Sequence, residues 1–157
     1  MPLLKENGDK KVVFLQHGLI DIAGTWFENS NNSLASVLAN QGYDIWMGNS
    51  RGTENSLGHI SLNSSEDAYW DFSFDEMGMY DVPANIEFIK AHTGVEKLTY
   101  VGHSQGTTQF WIANIYHPTF AAENIEAFIG IAPVMYTSHT FSVFTNWALA
   151  LRLDKVL

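Results

Sequence analysis

The apolar positions of the chain fall into short runs that are separated by segments with helical spacing. Four short runs, rich in β-branched and aromatic side chains, are typical of buried strands. They lie at 12–15, 44–47, 98–101 and 128–132. Between the first two runs, Leu34, Val37 and Leu38 share one helical face, with Asn32 or Ser33 as N-cap. Strands that alternate with helices predict an α/β domain with a mostly parallel sheet, helices on both faces, and function at the carboxyl ends of the strands.

The segment between the second and third predicted strands divides into a loop and a helical part. Residues 53–73 show no sustained period and predict a long surface loop. Residues 74–92 have a helical composition, but Pro83 lacks the N–H that an internal helical hydrogen bond needs. We therefore expect two helices here, the second capped by Asp81. A further helix over 107–116 should follow the third strand.

Composition and charge exclude several classes of protein. The chain has 157 residues, of which 46% are hydrophobic, so it can bury one core. A net charge of -9 without a basic stripe excludes a nucleic-acid partner, and no apolar run approaches the roughly 20 residues of a membrane-spanning helix. The absence of cysteine excludes thiolate metal sites and cysteine nucleophiles. We predict neither a metal nor a cofactor. The first ten residues lack the apolar stretch of a signal peptide. Neither the localisation nor the oligomeric state is indicated by the sequence.

A candidate nucleophile stands at the end of the third predicted strand. Residues 102–106 have the sequence Gly-His-Ser-Gln-Gly, which fits G-x-S-x-G. A chance match is expected in about one of twenty chains of this length, and a tight structural turn is the alternative. The motif, however, directly follows the strand at 98–101 and directly precedes the helix at 107–116. This strand-turn-helix setting predicts a nucleophile elbow with Ser104 as the attacking residue.

Acyl transfer at a serine also needs backbone donors for the oxyanion that forms on the substrate carbonyl. One candidate is the N–H of Gln105, the residue after the nucleophile, at the positive end of a helix. The second should come from the loop after the first strand, where the N–H of Leu19 is our candidate. His17 in that loop either supports the loop or is a core histidine bonded to backbone. We favour the second interpretation, because its sequence position is far from that of a triad base.

Several longer segments resemble the acid lipase family, the group that contains the gastric and lysosomal acid lipases. The order and spacing of these segments agree with the family from about residue 11 to 134. The matching segments are 14–19, 43–52, 72–77, 80–84, 100–107 and 131–133. The resemblance implies an α/β-hydrolase fold and hydrolysis of neutral lipid esters, triacylglycerols or cholesteryl esters, by a Ser-Asp-His triad without a cofactor.

The resemblance also implies residue roles and surroundings. It implies that Ser104 is the nucleophile and that Leu19 and Gln105 are the oxyanion donors. It also implies that the segment 49–52 shapes the end of a strand. It further implies a lipid ester substrate, transient contact with a lipid surface, and a secreted or lysosomal location for a full-length parent.

The triad acid and histidine have no credible position in this sequence. His117 and His139 follow Ser104, but the family presents these partners on later strands, and Asp75 and Asp81 precede the serine. We therefore expect an incomplete domain, with a core at about 11–134, the start of a cap at 135–157, and later strands and most of the cap missing. Such a chain alone should not turn over esters. Two alternatives are a truncated non-catalytic relative and another acyl-transfer enzyme, such as a thioesterase.

Overall fold

A four-stranded parallel sheet forms the centre of the protein. A computed structural model describes residues 11–136, and the predicted cap region beyond residue 136 lies outside the described part. The strands follow the order β2-β1-β3-β4 across the sheet. They are β1 (Val12–Gln16), β2 (Asp44–Gly48), β3 (Leu98–His103) and β4 (Ile125–Ile131). All three pairings are parallel, so every strand ends at the same edge of the sheet, as the sequence predicted.

Helices connect the strands and cover both faces of the sheet. They are α1 (Leu34–Asn40), α2 (Phe74–Glu76), α3 (Val82–Thr93), α4 (Gln105–Tyr116) and α5 (Phe120–Asn124). Three 3-10 turns lie at Ala23–Phe27, Ser30–Asn32 and Asp67–Trp70. The last of these interrupts the segment at 53–73, which is otherwise a loop as predicted.

Alternate residues of the strands supply two separate cores, because successive side chains point to opposite faces of a sheet. Val13 and Leu15 pack against α1 on one face, together with Val101. On the other face the sheet packs against α3, α4 and α5. This larger core contains Val12, Phe14, Val82, Ile86, Ile89, Leu98, Tyr100, Phe110, Ala113 and Phe120. The predicted two-sided α/β architecture is therefore confirmed.

The inner face of α1 contains Leu38 but not Leu34 or Val37, so the predicted face was wrong in part. Ser33 caps this helix by accepting a hydrogen bond from the N–H of Ser36, as expected. Ala35 is the fully buried residue, however, and Leu34 and Val37 are exposed. Ala35 lies three residues before Leu38, which also packs on the sheet, so these two define the inner face. A small residue lets the helix approach the sheet closely, and a hydrophobic pattern cannot distinguish that case from a larger apolar face.

The predicted break at Pro83 was also wrong. A π-helical turn at Met77–Asp81 joins α2 to α3 without interruption, and Pro83 lies in the first turn of α3. The wider i→i+5 bonding of a π turn accommodates a residue that has no N–H to donate. Asp81 makes no cap hydrogen bond, because its carboxylate binds Arg51 instead.

Candidate active site

Ser104 has the backbone conformation of a strained turn. Its φ of 50° and ψ of -118° lie outside the regions that residues with a Cβ normally occupy. The N–H of Ser104 donates to Ile131 O at 3.0 Å, and its carbonyl accepts from Thr107 N–H at 2.9 Å and Thr107 Oγ1 at 2.6 Å. These bonds hold the residue between the end of β3 and the first turn of α4. Strain of this kind persists only where the surroundings enforce it.

Two glycines of the turn are required by close approach of the backbone. A Cβ on Gly102 would lie 2.9 Å from the carbonyl carbon of Gly106 and from the N of Thr107. A Cβ on Gly106 would lie 2.4 Å from Gln16 O and 2.7 Å from His17 O. The first glycine therefore permits the chain to reverse, and the second permits the turn to sit on the end of β1.

The loop after β1, residues 17–22, lies directly against Ser104. We call this segment the β1 loop. A Cβ on its Gly18 would be 3.0 Å from the Cβ of Ser104. Leu19, the next residue, is 63% exposed, so its side chain is not what holds the loop. The structure thus brings the two predicted segments of the site together at the carboxyl edge of the sheet.

Both candidate oxyanion donors have an N–H without a protein acceptor among the described residues. Within residues 11–136, neither Leu19 N–H nor Gln105 N–H takes part in a loop, turn or side-chain hydrogen bond. Gln105 is the first residue of α4, where backbone N–H groups have no carbonyl within the helix to bind. A helix N-terminus also carries partial positive charge. N–H groups of this kind, where they point at one position next to a hydroxyl, can hold an oxygen that gains negative charge.

His17 anchors the β1 loop to the end of β2. The residue is 2% exposed; its Nδ1 lies 2.8 Å from Gly18 O, and its Nε2 accepts from the N–H of Ser50 at 3.0 Å. Because Nε2 is the acceptor, the proton must be on Nδ1, which donates to the carbonyl. Burial lowers the pKa of His17 below its ordinary value, so the neutral form is favoured. These contacts agree with our interpretation of a core histidine bonded to backbone.

A buried polar cluster around Ser50 lies beneath the β1 loop. The Ser50 Oγ accepts from Gln16 Nε2 at 3.0 Å and from Gln109 Nε2 at 3.1 Å. All three residues are at most 3% exposed, and they come from β1, α4 and the segment after β2. Removing the hydroxyl would therefore leave two buried amide donors without this acceptor.

The rest of the segment after β2 holds neighbouring elements in place. Asn49 Oδ1 accepts from Ala23 N–H at 2.9 Å. Arg51 binds both carboxylate oxygens of Asp81 through its Nε at 3.0 Å, and this partner raises the pKa of Arg51. These contacts support the expectation that residues 49–52 shape the end of the strand.

His103 and Asp21 form a contact beside Ser104 that no sequence motif predicted. His103 Nδ1 lies 3.9 Å from Asp21 Oδ2, next to Ser104 on one side and on the β1 loop on the other. The ring of Trp26 packs edge-on against His103, with 6.4 Å between ring centroids. A small cavity of about 250 Å³ is lined by these three side chains and Thr25. The signal in the sequence was weak, because 82 positions separate the histidine from the aspartate.

His117, considered earlier as a base, is far from Ser104. It follows the last turn of α4, whereas Ser104 precedes the first turn, and twelve residues of helix span about 18 Å. The ring instead donates from Nε2 to Met79 O at 3.0 Å. Glu126 lies near the start of β4, at the opposite end of the sheet from Ser104. His139 lies outside the described residues.

A second, larger cavity is separate from this site. It has a volume of about 700 Å³ and lies between the loop at 53–73 and α3. Neither Ser104 nor the two candidate donors line it. Residues 11–136 gather no group of three potential metal-ligating side chains, and no helix within this range has the length and apolar character to cross a bilayer.

Comparisons with a family model and with individual proteins indicate the same family. A family model described as alpha/beta hydrolase fold matches residues 11–155. The chain is 48% identical over 143 residues to the gastric triacylglycerol lipase of Bos taurus, covering 90% of this chain and 36% of the relative. It is 49% identical over 130 residues to the human lysosomal acid lipase/cholesteryl ester hydrolase, covering 82% of this chain and 32% of the relative. The chain therefore spans about a third of the length of these relatives.

Solved structures agree on the fold. An epoxide hydrolase mutant from Vigna radiata superposes with a TM-score of 0.56 at 20% identity, covering 92% of this chain and 39% of that one. Three observations indicate the same fold: the parallel sheet, the strained serine between β3 and α4, and the family match over residues 11–155. The chain belongs to the alpha/beta hydrolase fold family, and within it is similar to the gastric and lysosomal acid lipases.

Proposed function

We propose that this chain carries the nucleophile and the oxyanion site of a serine hydrolase that cleaves neutral lipid esters. The observation that carries the proposal is the conformation of Ser104. The segments on either side of it contain the N–H groups of Leu19 and Gln105, which have no acceptor among residues 11–136. This arrangement supports the assignment of a nucleophile elbow with its oxyanion site. The resemblance in sequence to lipases supports an ester as the substrate.

In the proposed reaction, Ser104 Oγ attacks the ester carbonyl and the carbonyl oxygen becomes an oxyanion. The N–H groups of Leu19 and Gln105 stabilise this charge. The tetrahedral intermediate then expels the alcohol and leaves an acyl group on Ser104, which water removes as the free acid. The hydroxyl needs an imidazole to accept its proton and a carboxylate to orient that imidazole. We propose that both come from sequence outside residues 11–136.

The relatives suggest the class of substrate and the location. One is named a gastric triacylglycerol lipase and another a lysosomal acid lipase/cholesteryl ester hydrolase. We propose a triacylglycerol or cholesteryl ester as substrate, transient contact with a lipid surface, and a secreted or lysosomal location. A panel of long-chain glycerides, sterol esters and thioesters would test the substrate class. Preference for thioesters would contradict it.

The nucleophile is tested by replacing Ser104 in the complete natural polypeptide that contains this chain. Ser104→Ala should abolish ester turnover and labelling by a serine-directed phosphonate, because the attacking oxygen is gone. Ser61→Ala is the matched control, since this serine is exposed and its hydroxyl makes no side-chain hydrogen bond among the described residues. An alanine variant at 104 that kept most of its activity would refute the assignment.

The oxyanion donors are backbone groups, so their test needs proline. Leu19→Pro deletes the N–H and should raise the barrier by about 3 kcal/mol, which is a loss of 10²- to 10³-fold in kcat. Leu19→Ala keeps the N–H, and this exposed side chain should matter little. Gln105→Ala should likewise have little effect. A folded Leu19→Pro enzyme with normal kcat would exclude this donor.

A further inference from the structure

The side chain that precedes the proposed nucleophile faces a carboxylate on the β1 loop. His103 Nδ1 lies 3.9 Å from Asp21 Oδ2. His103 is the last residue of β3, directly before Ser104, and Asp21 lies two residues after Leu19. The contact therefore joins the elbow to the loop that carries the first proposed oxyanion donor.

Three further contacts fix the geometry of this pair. Asp21 Oδ1 accepts from the N–H of Ile22 at 2.9 Å, which orients the carboxylate and leaves Oδ2 towards His103. The ring of Trp26 packs edge-on against the imidazole at an interplanar angle of 84°. A Cβ on Gly18 would lie 3.2 Å from His103 Nδ1, so the loop backbone passes close to the ring. The imidazole is thus held between the elbow and the loop.

We propose that His103 and Asp21 form an ion-pair clamp that positions the β1 loop, and with it the Leu19 N–H, against Ser104. The proposal rests on the proposed function for the role of that N–H. The His103 side chain is 43% exposed and that of Asp21 is 18% exposed, so the imidazole can exchange a proton with solvent. The clamp is charged when His103 is protonated, and it loses its Coulombic attraction when His103 is neutral.

The surroundings of His103 leave Asp21 as its charged partner. Among the described residues, Asp21 is the carboxylate within ion-pair distance of this ring. Trp26 and Gly18, which also contact or flank it, carry no charge. His17 lies in the same loop, but its two nitrogens are bonded to Gly18 O and Ser50 N–H, and burial lowers its pKa. Burial therefore favours the neutral form of His17.

The direction of the pH effect follows from these charges. When His103 is protonated, its imidazolium and the ionised carboxylate of Asp21 attract each other and hold the loop. When His103 is neutral the attraction is lost, and the loop is held by its other contacts. Partly exposed pairs of this kind contribute little, so we expect an effect of about two- to five-fold in kcat. KM should change less, because the Leu19 N–H acts on charge that develops in the transition state.

The first measurement follows the Leu19 amide by NMR between pH 5 and 8 in the complete natural polypeptide, and it requires no turnover. In the wild type the amide shift should follow the titration of the His103 ring. The response should be lost in Asp21→Asn, which keeps the Oδ1 acceptor for Ile22, and in His103→Gln. Glu126→Gln is the matched control, since Glu126 forms an exposed pair with Lys11 at the other end of the sheet, and it should leave the response intact.

Two results would overturn the clamp. One is a Leu19 amide that does not move while His103 titrates. The other is a response that persists in His103→Gln, because it would then belong to His17, which that variant retains. If one of the two variants fails to fold, the other still tests the clamp, because each removes one partner of the contact.

Kinetics separate the clamp from the proposed function. Asp21→Asn should lower kcat about two- to five-fold at pH 5.5 and leave it at the wild-type value at pH 8. If Ser104→Ala abolishes turnover and Asp21→Asn keeps the wild-type pH profile, the nucleophile stands and the clamp is wrong. If Ser104→Ala keeps its activity, the proposed function fails, and the NMR titration still decides whether the contact positions the loop.

Discussion

Gly106 offers a direct test of how closely the elbow must pack on the end of β1. In Gly106→Ala the new Cβ would lie 2.4 Å from Gln16 O and 2.7 Å from His17 O, whereas ordinary contact begins at 3.4 Å. The turn or the strand end must therefore move by about 1 Å. Both obstacles are backbone atoms, and Gln16 is fixed by its pairing with Gly48 and Gly102 in the sheet, so neither can rotate away.

This displacement should lower both stability and activity. Overpacking of this kind costs about 1 to 3 kcal/mol of unfolding free energy, and we expect the upper part of that range because the obstacles are rigid. For a domain of this size that lowers Tm by about 2 to 4 °C per kcal/mol. A shift of about 1 Å between Ser104 and the β1 loop should also reduce turnover by about 10²-fold.

Gly58→Ala is the matched control. Gly58 is exposed, has nothing within 4 Å of the new Cβ, and does not have a positive φ. We expect its unfolding free energy to stay within about 0.5 kcal/mol of the wild type. Thermal unfolding and ester turnover of the two variants, measured side by side, provide the comparison. If Gly106→Ala matched Gly58→Ala in both, the close approach of the elbow to β1 would be refuted.

Two further predictions concern the polar groups beneath the site. Ser50→Ala leaves the buried amides of Gln16 and Gln109 without their shared acceptor and should lower the unfolding free energy by about 1 to 3 kcal/mol; an unchanged urea midpoint would contradict the cluster. Burial lowers the pKa of His17 below 6.5, so the unfolded state binds a proton before the folded state does. The unfolding free energy should therefore be unaffected by His17 above about pH 6.5 and should fall as the pH drops below that value. Denaturant titrations at pH 5 and 8 should show a smaller fall in His17→Asn than in the wild type.

The strands and the elbow could be predicted because the information that specifies them is local. Strand runs of β-branched and aromatic residues need no distant partner to be recognised, and G-x-S-x-G is recognised by the strand before it and the helix after it. The predicted starts and ends differ from the observed ones by a few residues. For example, α4 begins at Gln105 rather than at Thr107, because the elbow itself forms the first turn.

The helix errors have a different origin. Pro83 would end an isolated α-helix, but a π turn before it removes the conflict, and that turn packs against α4. A Cβ on Gly78, within the π turn, would lie 2.5 Å from the Cβ of Ile112. The bend is therefore stabilised by a tertiary contact between segments more than 30 residues apart, and a local pattern cannot show it.

The segment after β2 explains why residues without a chemical role can determine the geometry of the site. Asn49 binds the 3-10 turn that follows the β1 loop, Ser50 N–H fixes the tautomer of His17, and Arg51 fastens the π turn through Asp81. Each contact joins residues 26 to 33 positions apart, so no local motif records it. The first two contacts hold the two ends of the β1 loop against the end of β2. The position of the Leu19 N–H is consequently a property of β2 as much as of the loop that contains it, and substitutions at the end of β2 should alter catalysis without touching a reacting atom.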